Sequence, residues 1–434
     1  MALQKLLRSV TNAALRRRSW QDMCRGLLRL KDEATVLKLA QEIHNRYADF
    51  DDDQKLEFFQ LLLDEFRADQ SQLQAAIEKY QADPSPANVQ LVNRASLPAR
   101  RQMFQVLNMT PNGTLKLIAM RSDLLCLLET HNDLKAVDRD LEILFGAWFN
   151  RGFLSLEQID WKTPAFILEK LIRYEAVHEI TGWNDLRRRV SSGRRCYAFF
   201  HPALPNEPII FVQVALANGL AGSIDQLIGD ENGEPACVED EKRANTAIFY
   251  SISNCQPGLR GIAFGDLLIK QVVDLISVEL PHIKTYSTLS PVPGFGAWMK
   301  RAAQDSDNDL SPAERAAIAQ LVSQPDDREW IDDDTHCPEY QPILTALCAH
   351  YLLNEKLGAA PFDPVARFHL RNGARLERIN WLGDTSPKGI QESVGFLANY
   401  VYDRKSVTKN HERYIYENEV VTSNAVAQLA KRRG

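Results

Sequence analysis

The stretch Thr246-Ala-Ile-Phe-Tyr-Ser-Ile-Ser253, followed by Gln256-Pro-Gly258-Leu-Arg260-Gly261-Ile-Ala-Phe-Gly265, decides the fold class. Its first half has the β-branched and aromatic content of a buried strand. The second half is a glycine-bearing loop leading into a helix, whose buried face is read as Leu268, Val272, Leu275 and Ile276. Another strand follows near Thr285 to Leu289 and delivers Ser290. Strand, loop, helix, strand is a crossover unit, and a crossover lays a helix over parallel strands. Free N–H groups where the loop meets the helix favour anions, so a pyrophosphate suits that place. A plain strand-to-helix turn reads the same way. Neither Gly-x-Gly-x-x-Gly nor a P-loop Gly-Lys-Ser/Thr occurs, so simple nucleotide signatures fail.

Working outward, Arg195 to His201 and Ile209 to Leu216 read as a hairpin, with Pro202, Pro205, Asn206 and Pro208 between them. Residues up to about 175 read as successive helices. One carries the stripe Leu56, Phe59, Leu63, Phe66 behind the capping acids Asp51 to Asp53. Another carries Leu141, Leu144, Phe145, Trp148 and Phe149, and Asp83-Pro84-Ser85-Pro86 interrupts the pattern. These aromatic stripes are read as core or subunit interface. The expected organisation is an α-helical domain over 1–175, then an α/β domain with a mixed, partly parallel sheet over 176–434.

The chain has 434 residues, 45% of them hydrophobic and 25% charged, with net charge −6. That is ordinary for a globular protein and gives no argument for nucleic acid. No apolar run approaches the roughly 20 residues of a membrane span. Seven scattered cysteines without Cys-x-x-Cys are read as reduced thiols. The acid-free start, with Lys5, Arg8 and Arg16 to Arg18, fits either a mitochondrial targeting segment or the first helix of a cytoplasmic protein.

The chemistry-bearing stretches are Ser287-Thr-Leu-Ser290-Pro-Val-Pro-Gly294-Phe-Gly296 and Phe368-His369-Leu-Arg-Asn-Gly373. A serine before proline and a histidine among apolar residues each have ordinary structural uses. A hydrolase elbow Gly-x-Ser-x-Gly is missing; Gln391-Glu-Ser393-Val-Gly395 comes nearest. Asp332-Asp-Asp334-Thr-His336-Cys337 has no zinc-like spacing and is read as a solvated acidic loop. The runs Arg187 to Arg189 and Arg194-Arg195 are read as a solvated face, with a CoA phosphate the lesser alternative.

The crossover resembles the GNAT superfamily, whose loop grips the pyrophosphate of coenzyme A, although glycines 258, 261 and 265 are spaced differently here. A wider resemblance is to the malonyl-CoA decarboxylase family. It is carried by Phe149-Asn-Arg-Gly-Phe-Leu, Glu175-Ala-Val-His178, Arg194-Arg-Cys-Tyr, the Thr246 strand, Leu289-Ser-Pro-Val-Pro-Gly-Phe, Asn372-Gly-Ala, Ile379-Asn-Trp and Ala398-Asn-Tyr-Val-Tyr402. It implies a GNAT-like α/β domain that turns malonyl-CoA into acetyl-CoA and CO2, with Ser290 and His369 catalytic. The family's substrate loop falls on Arg260, Gly261, Ile262, Ala263, Phe264, Gly265 and Asp266. Asn380 and Tyr402 are candidates to orient His369 or substrate. Phe295, Trp298 and Phe368 are expected to lower the local dielectric. The thioester is its own electron sink, so no metal or prosthetic group is expected. The resemblance also implies a homo-oligomer, dimer or tetramer. Two other functions stay open: a GNAT acyltransferase with an amine acceptor, and a non-catalytic acyl-CoA sensor.

Overall fold

A computed structural model describes residues 19–229, 241–262, 265–304, 310–322 and 337–431. The chain divides into two compact units. The first holds residues up to Ser155, with Phe200–Pro208 and the described part of Gln256–Ala263; the second holds the remainder. Residues 1–18 and the acidic stretch Asp332 to His336 lie outside the described residues, as do the readings made of them. Among the described residues no helix is long and apolar enough to cross a membrane.

The first unit contains helices α1 (Trp20–Leu27), α2 (Glu33–Ala48), α3 (Asp52–Asp64), α4 (Gln70–Ala82), α5 (Pro86–Ala95), α6 (Ala99–Asn108), α7 (Gly113–Leu127) and α8 (Lys135–Trp148). Asp51 caps α3 in a reciprocal box with Gln54, satisfying two of the amides that a helix start leaves open. Pro84 and Pro86 separate α4 from α5, as the proline pattern requires. The buried face of α3 is Phe58, Phe59 and Leu62. Leu56 and Leu63 are half-buried, so the core face is turned from the expected stripe toward Phe58. Phe58 is claimed by an aromatic cluster with Trp20, Tyr47 and Phe50. On α8, Leu141, Leu144 and Phe145 are buried as expected.

The second unit is built on an eight-stranded mixed sheet. Its strands are β1 (Ser155–Ile159), β2 (Arg194–Phe200), β3 (Ile210–Ala217), β4 (Thr246–Asn254), β5 (Thr285–Thr288), β6 (Ser290–Pro291), β9 (Arg375–Asn380) and β10 (Leu397–Val401), in the order β1-β2-β3-β4-β5-β10-β6, with β9 on β10. Between them β7 (Lys356–Leu357) and β8 (Ala360–Pro361) form a small hairpin. β2 and β3 are the expected antiparallel pair. β4 and β5 are parallel, in register from Thr246↔Thr285 to Phe249↔Thr288. The crossover between them contains α12 (Gly265–Glu279), which follows α9 (Ala165–Tyr174), α10 (Trp183–Arg189) and α11 (Asp225–Ile228) in the chain. Its buried face runs through Ile269, Val272 and Ile276. Leu275 is exposed, which corrects its place in the expected stripe; Ile269, Val272, Val273 and Ile276 hold the i, i+3, i+4, i+7 positions.

Of the arginines expected on a solvated face, Arg187 is exposed and Arg188 half-buried, whereas Arg189, Arg194 and Arg195 are buried. Arg189 pairs with Asp185 at 2.9 Å and donates to the carbonyls of His178 and Glu179. Arg195 pairs with Glu241 at 3.0 Å and with Glu279. Arg194 donates to the Leu227 carbonyl. Each guanidinium holds turns and strand ends together; a buried cation requires such partners.

Candidate active site

Past Phe249 and Thr288 the two parallel strands part. β4 stays with β3 up to Asn254, while the chain beyond Leu289 turns to pair with β10, Ser290 facing Ala398. The last link across the fork is Leu289 N–H donating to the Phe249 carbonyl at 3.0 Å. A cavity of about 290 Å³ opens beyond it, lined among others by Phe249, Ser251, Ser290, Pro291, Phe368 and His369. One wall is fixed by Glu175, whose buried carboxylate accepts from Ser251, Ser253 and Gln213 and from the amides of Val177 and His178.

The loop after Ser290 is locked from outside. Val292 N–H donates to Ser393 Oγ at 3.1 Å, so the nearest thing to a nucleophile elbow serves as a strut. Ser393 ends α17 (Pro387–Ser393). A Cβ at Gly296 would lie 2.6 Å from the Gln391 carbonyl, so the loop fits only with glycine there. Gly296 opens α13 (Phe295–Gln304), which α14 (Pro312–Val322) and α15 (Cys337–Asn354) follow.

His369 comes from α16 (Pro364–Arg371). Asp363 caps this helix and Pro364 occupies its first position, the favoured order for a helix start. The helix buries Ala366, His369 and Leu370, one face at i, i+3, i+4. It stops at Gly373, whose φ of +82° suits glycine.

The cap and the fork bring two residues 79 apart in sequence together. Ser290 Oγ and His369 Nε2 share a hydrogen bond of 3.0 Å. His369 Nδ1 and Tyr402 Oη share another of 2.8 Å. Ser290 Oγ–H also donates to Thr288 Oγ1 at 2.9 Å, which accepts from Tyr400 N–H as well. The Tyr400 ring stacks on the imidazole at 4.7 Å between centroids, and Phe368 lies edge-on at 5.0 Å. Ser290 and His369 are both buried. Burial pushes the His369 pKa down to about 3, so the imidazole is neutral at neutral pH.

The other expected site residues fall as follows. Tyr402 reaches His369. Asn380 donates to the Leu397 carbonyl and to Asn399 Oδ1; it braces β9 on β10, and no bond links it to His369. Phe368 flanks the imidazole, whereas Phe295 and Trp298 pack with Tyr351 on the far side of the loop. Arg260, Gly261 and Ile262 belong to the first unit. Arg121 is 1% exposed and donates there to the carbonyls of Gly258 and Arg260, both at 2.8 Å. Gly258 has no room for a Cβ against the Ile118 carbonyl. Ala263 and Phe264 lie outside the described residues, as do the side-chain surroundings of Gly265 and Asp266. Thr288, Tyr400, Glu175 and Ser393 were missed. Each lies in a stretch quoted above but was given no role in the site: Thr288 beside Ser290, Glu175 and Tyr400 in resemblance segments, and Ser393 in the near-elbow.

The fold and site together define an α/β protein with a buried Ser–His pair at the fork of two parallel strands. The chain matches the Malonyl-CoA decarboxylase C-terminal domain over residues 152–434 and the Malonyl-CoA decarboxylase N-terminal domain over residues 66–149. The mitochondrial malonyl-CoA decarboxylase of Anser anser anser is 37% identical over 352 residues, 76% of this chain and 69% of that protein. Crystal structures of malonyl-CoA decarboxylase from Rhodopseudomonas palustris and Agrobacterium vitis are 43% and 44% identical, with TM-scores of 0.88 and 0.87. Each covers 94% of this chain, and this chain covers 98% and 99% of theirs. The chain belongs to the malonyl-CoA decarboxylase family.

Proposed function

We propose that this protein decarboxylates malonyl-CoA to acetyl-CoA and CO2, and that Ser290 and His369 carry the reaction. The observation that carries the mechanism is the continuous hydrogen-bond chain from Tyr402 through His369 to Ser290, at 2.8 and 3.0 Å, ending at a cavity walled by both residues of the pair.

Loss of CO2 puts negative charge on the α-carbon, and the thioester carbonyl takes it up as an enolate. The breaking bond must stand out of the carbonyl plane. Ser290 Oγ–H turns from Thr288 to donate to the leaving carboxylate and holds it at that angle. The β4 edge beyond Phe249, which β5 has left, faces the enolate oxygen with main-chain groups. A fixed donor of this kind is worth about 2.7–4 kcal/mol in the transition state.

One proton is consumed per turnover. In the free site Tyr402 O–H donates to Nδ1, which leaves the neutral imidazole hydrogen on Nε2, directed at Ser290. Entry of the anionic malonyl group favours the imidazolium, because a nearby opposite charge favours the charged form. His369 thus takes up its proton with the substrate and delivers it to carbon after CO2 has left. The aromatic wall of Phe368 and Tyr400 keeps this exchange in a low-dielectric setting, where fixed charges act strongly. Thioester delocalisation supplies the electron sink, so the proposal needs no prosthetic group.

We assign the CoA pyrophosphate to the Arg260–Asp266 loop, supported by the rigid seating of its first half on Arg121. We place subunit association, as dimers or tetramers, on the helical unit, where Val89, Leu91 and Leu97 are exposed. Purified protein given malonyl-CoA alone, without amine, metal or ATP, is expected to release CO2 and acetyl-CoA in equal amounts. Turnover that appears only with an added amine would assign the site to acyl transfer, and binding without turnover would assign it to sensing.

A further inference from the structure

Behind His369, on the side away from the cavity, lies a second polar cluster that the proposed reaction does not use. Asp363, Tyr351 and Tyr400 are each fully buried. Asp363 Oδ1 accepts from the Ala366 amide at 2.7 Å and so caps the helix of His369. Its Oδ2 has no hydrogen-bond partner, and neither do the hydroxyls of Tyr351 and Tyr400. A Cβ on Gly294 would run into Tyr351 Oη and lie 4.0 Å from Asp363 Oδ2. Tyr351 Oη and Asp363 Oδ2 therefore both lie against Gly294, four residues past Ser290. The Gly294 amide acts on the Asp363 carboxyl from the loop side, as those of Ala366 and Val365 do from the helix side. The third hydroxyl belongs to the ring that stacks on His369, and the Asp363 charge is felt at both tyrosines.

Buried polar atoms are nearly always partnered. Two orphans beside one glycine, with a third on a ring that feels the Asp363 charge, are what a buried water satisfies, since such a water makes roughly two to four hydrogen bonds. We propose that Asp363 is a positioning residue, and that its Oδ2 and the hydroxyls of Tyr351 and Tyr400 hold a buried water that ties the loop after Ser290 to the helix of His369. The cap fixes where α16 begins, hence where its sixth residue, His369, points. The water carries that constraint to the loop at Gly294 and to the ring under the imidazole. Burial lifts the Asp363 carboxyl to about 6, while the flanking amides and Arg367 hold it down; a group so placed gains by hydration.

This inference rests on reading Ser290 and His369 as the reacting pair, and two measurements separate the two. Diffraction from the wild-type protein, at resolution sufficient to place waters, is expected to show an ordered water bonded to Asp363 Oδ2 and to at least one of the two hydroxyls. A dry space would overturn the proposal whatever the activity. In turnover, Asp363→Ala loses cap and water together, and kcat is expected to fall roughly 30-fold or more with KM within about threefold. Asp363→Asn keeps a capping oxygen and an amide that donates to the same water, so it is expected to restore kcat to within about fivefold. Wild-type kcat in a folded alanine variant, or a rise in KM alone, would overturn it. Should the alanine variant not fold, the diffraction result and the asparagine variant decide. Full turnover in Ser290→Ala or His369→Ala would instead remove the reacting pair and leave the water standing.

Discussion

Replacing Tyr402 with phenylalanine removes one oxygen and keeps the ring. That oxygen lies 2.8 Å from His369 Nδ1, and His369 is 3% exposed, so water does not readily take its place. The imidazole is then left with an unpaired buried nitrogen, which costs about 1–3 kcal/mol. Two responses are open to it. The ring stays, its tautomer no longer held, and Nε2 presents a lone pair to Ser290 in part of the molecules. Alternatively it tilts to find a partner and leaves Ser290. Both reduce the population of the competent arrangement by a factor set by the same energy, roughly 5- to 150-fold. The stack on Tyr400 does not involve the lost oxygen, so the variant is expected to fold, with a melting temperature lowered by no more than that cost implies. Acetyl-CoA release is expected to show kcat reduced within that range and KM for malonyl-CoA little altered. Combined with Ser290→Ala, the loss is expected to be far from additive, as it is for residues that act as one unit. Tyr402→Phe turning over within about twofold of wild type would refute the orienting role.

Three further outcomes follow from the geometry. Arg121→Ala removes the donors that hold the Gly258 and Arg260 carbonyls and leaves Asp138 without its 2.7 Å partner; KM for malonyl-CoA is expected to rise about tenfold or more with kcat less affected, measured by steady-state kinetics. Gly373→Ala puts a Cβ against the Val407 carbonyl at a φ of +82°, so denaturant unfolding is expected to show a loss of more than about 1 kcal/mol. Asp363 and His369 have opposite effects on stability below neutral pH. The His369 pKa is depressed to about 3, so its contribution is present above pH 6.5 and is lost as pH falls below that value. The Asp363 pKa is raised to about 6, so the ionised carboxylate costs stability above pH 6, and the cost disappears as pH falls toward 3.8. Asp363→Asn is therefore expected to unfold at higher urea than wild type at pH 7.5, by up to roughly 3 kcal/mol, with the gap closing as pH falls toward 3.8. A lower midpoint at pH 7.5 would contradict the sign.

The crossover from Thr246 to Ser290 was legible because each of its parts has a local signature: β-branched run, glycine loop, periodic helix. The break at Pro84 and Pro86 and the cap at Asp51 were legible for the same reason. What failed was long-range pairing. Arg194 and Arg195 look like a solvated face until the fold brings up the distant Glu241 and Glu279 and the carbonyl of Leu227. Leu275 fits a helical stripe, but the stripe drawn through Ile269 is the one that is buried. No spacing predicts that His369 meets Ser290; that expectation came from resemblance, and the bond at 3.0 Å depends on the fork in the sheet and on the Asp363 cap. Asp363 was not singled out in the sequence, and its approach to Gly294 has no local signature there. Asn380 was singled out with Tyr402, but it lies on β9, where its amide nitrogen donates to β10 and not to His369.

The central claim is that Ser290 and His369 together decarboxylate malonyl-CoA. Its most direct test is CO2 release from malonyl-CoA by wild type, Ser290→Ala and His369→Ala, with CoA-ester binding measured on the same preparations. The account predicts rapid release by wild type and severe loss in both variants, with binding and folding retained. Near-normal release by either folded variant would contradict it.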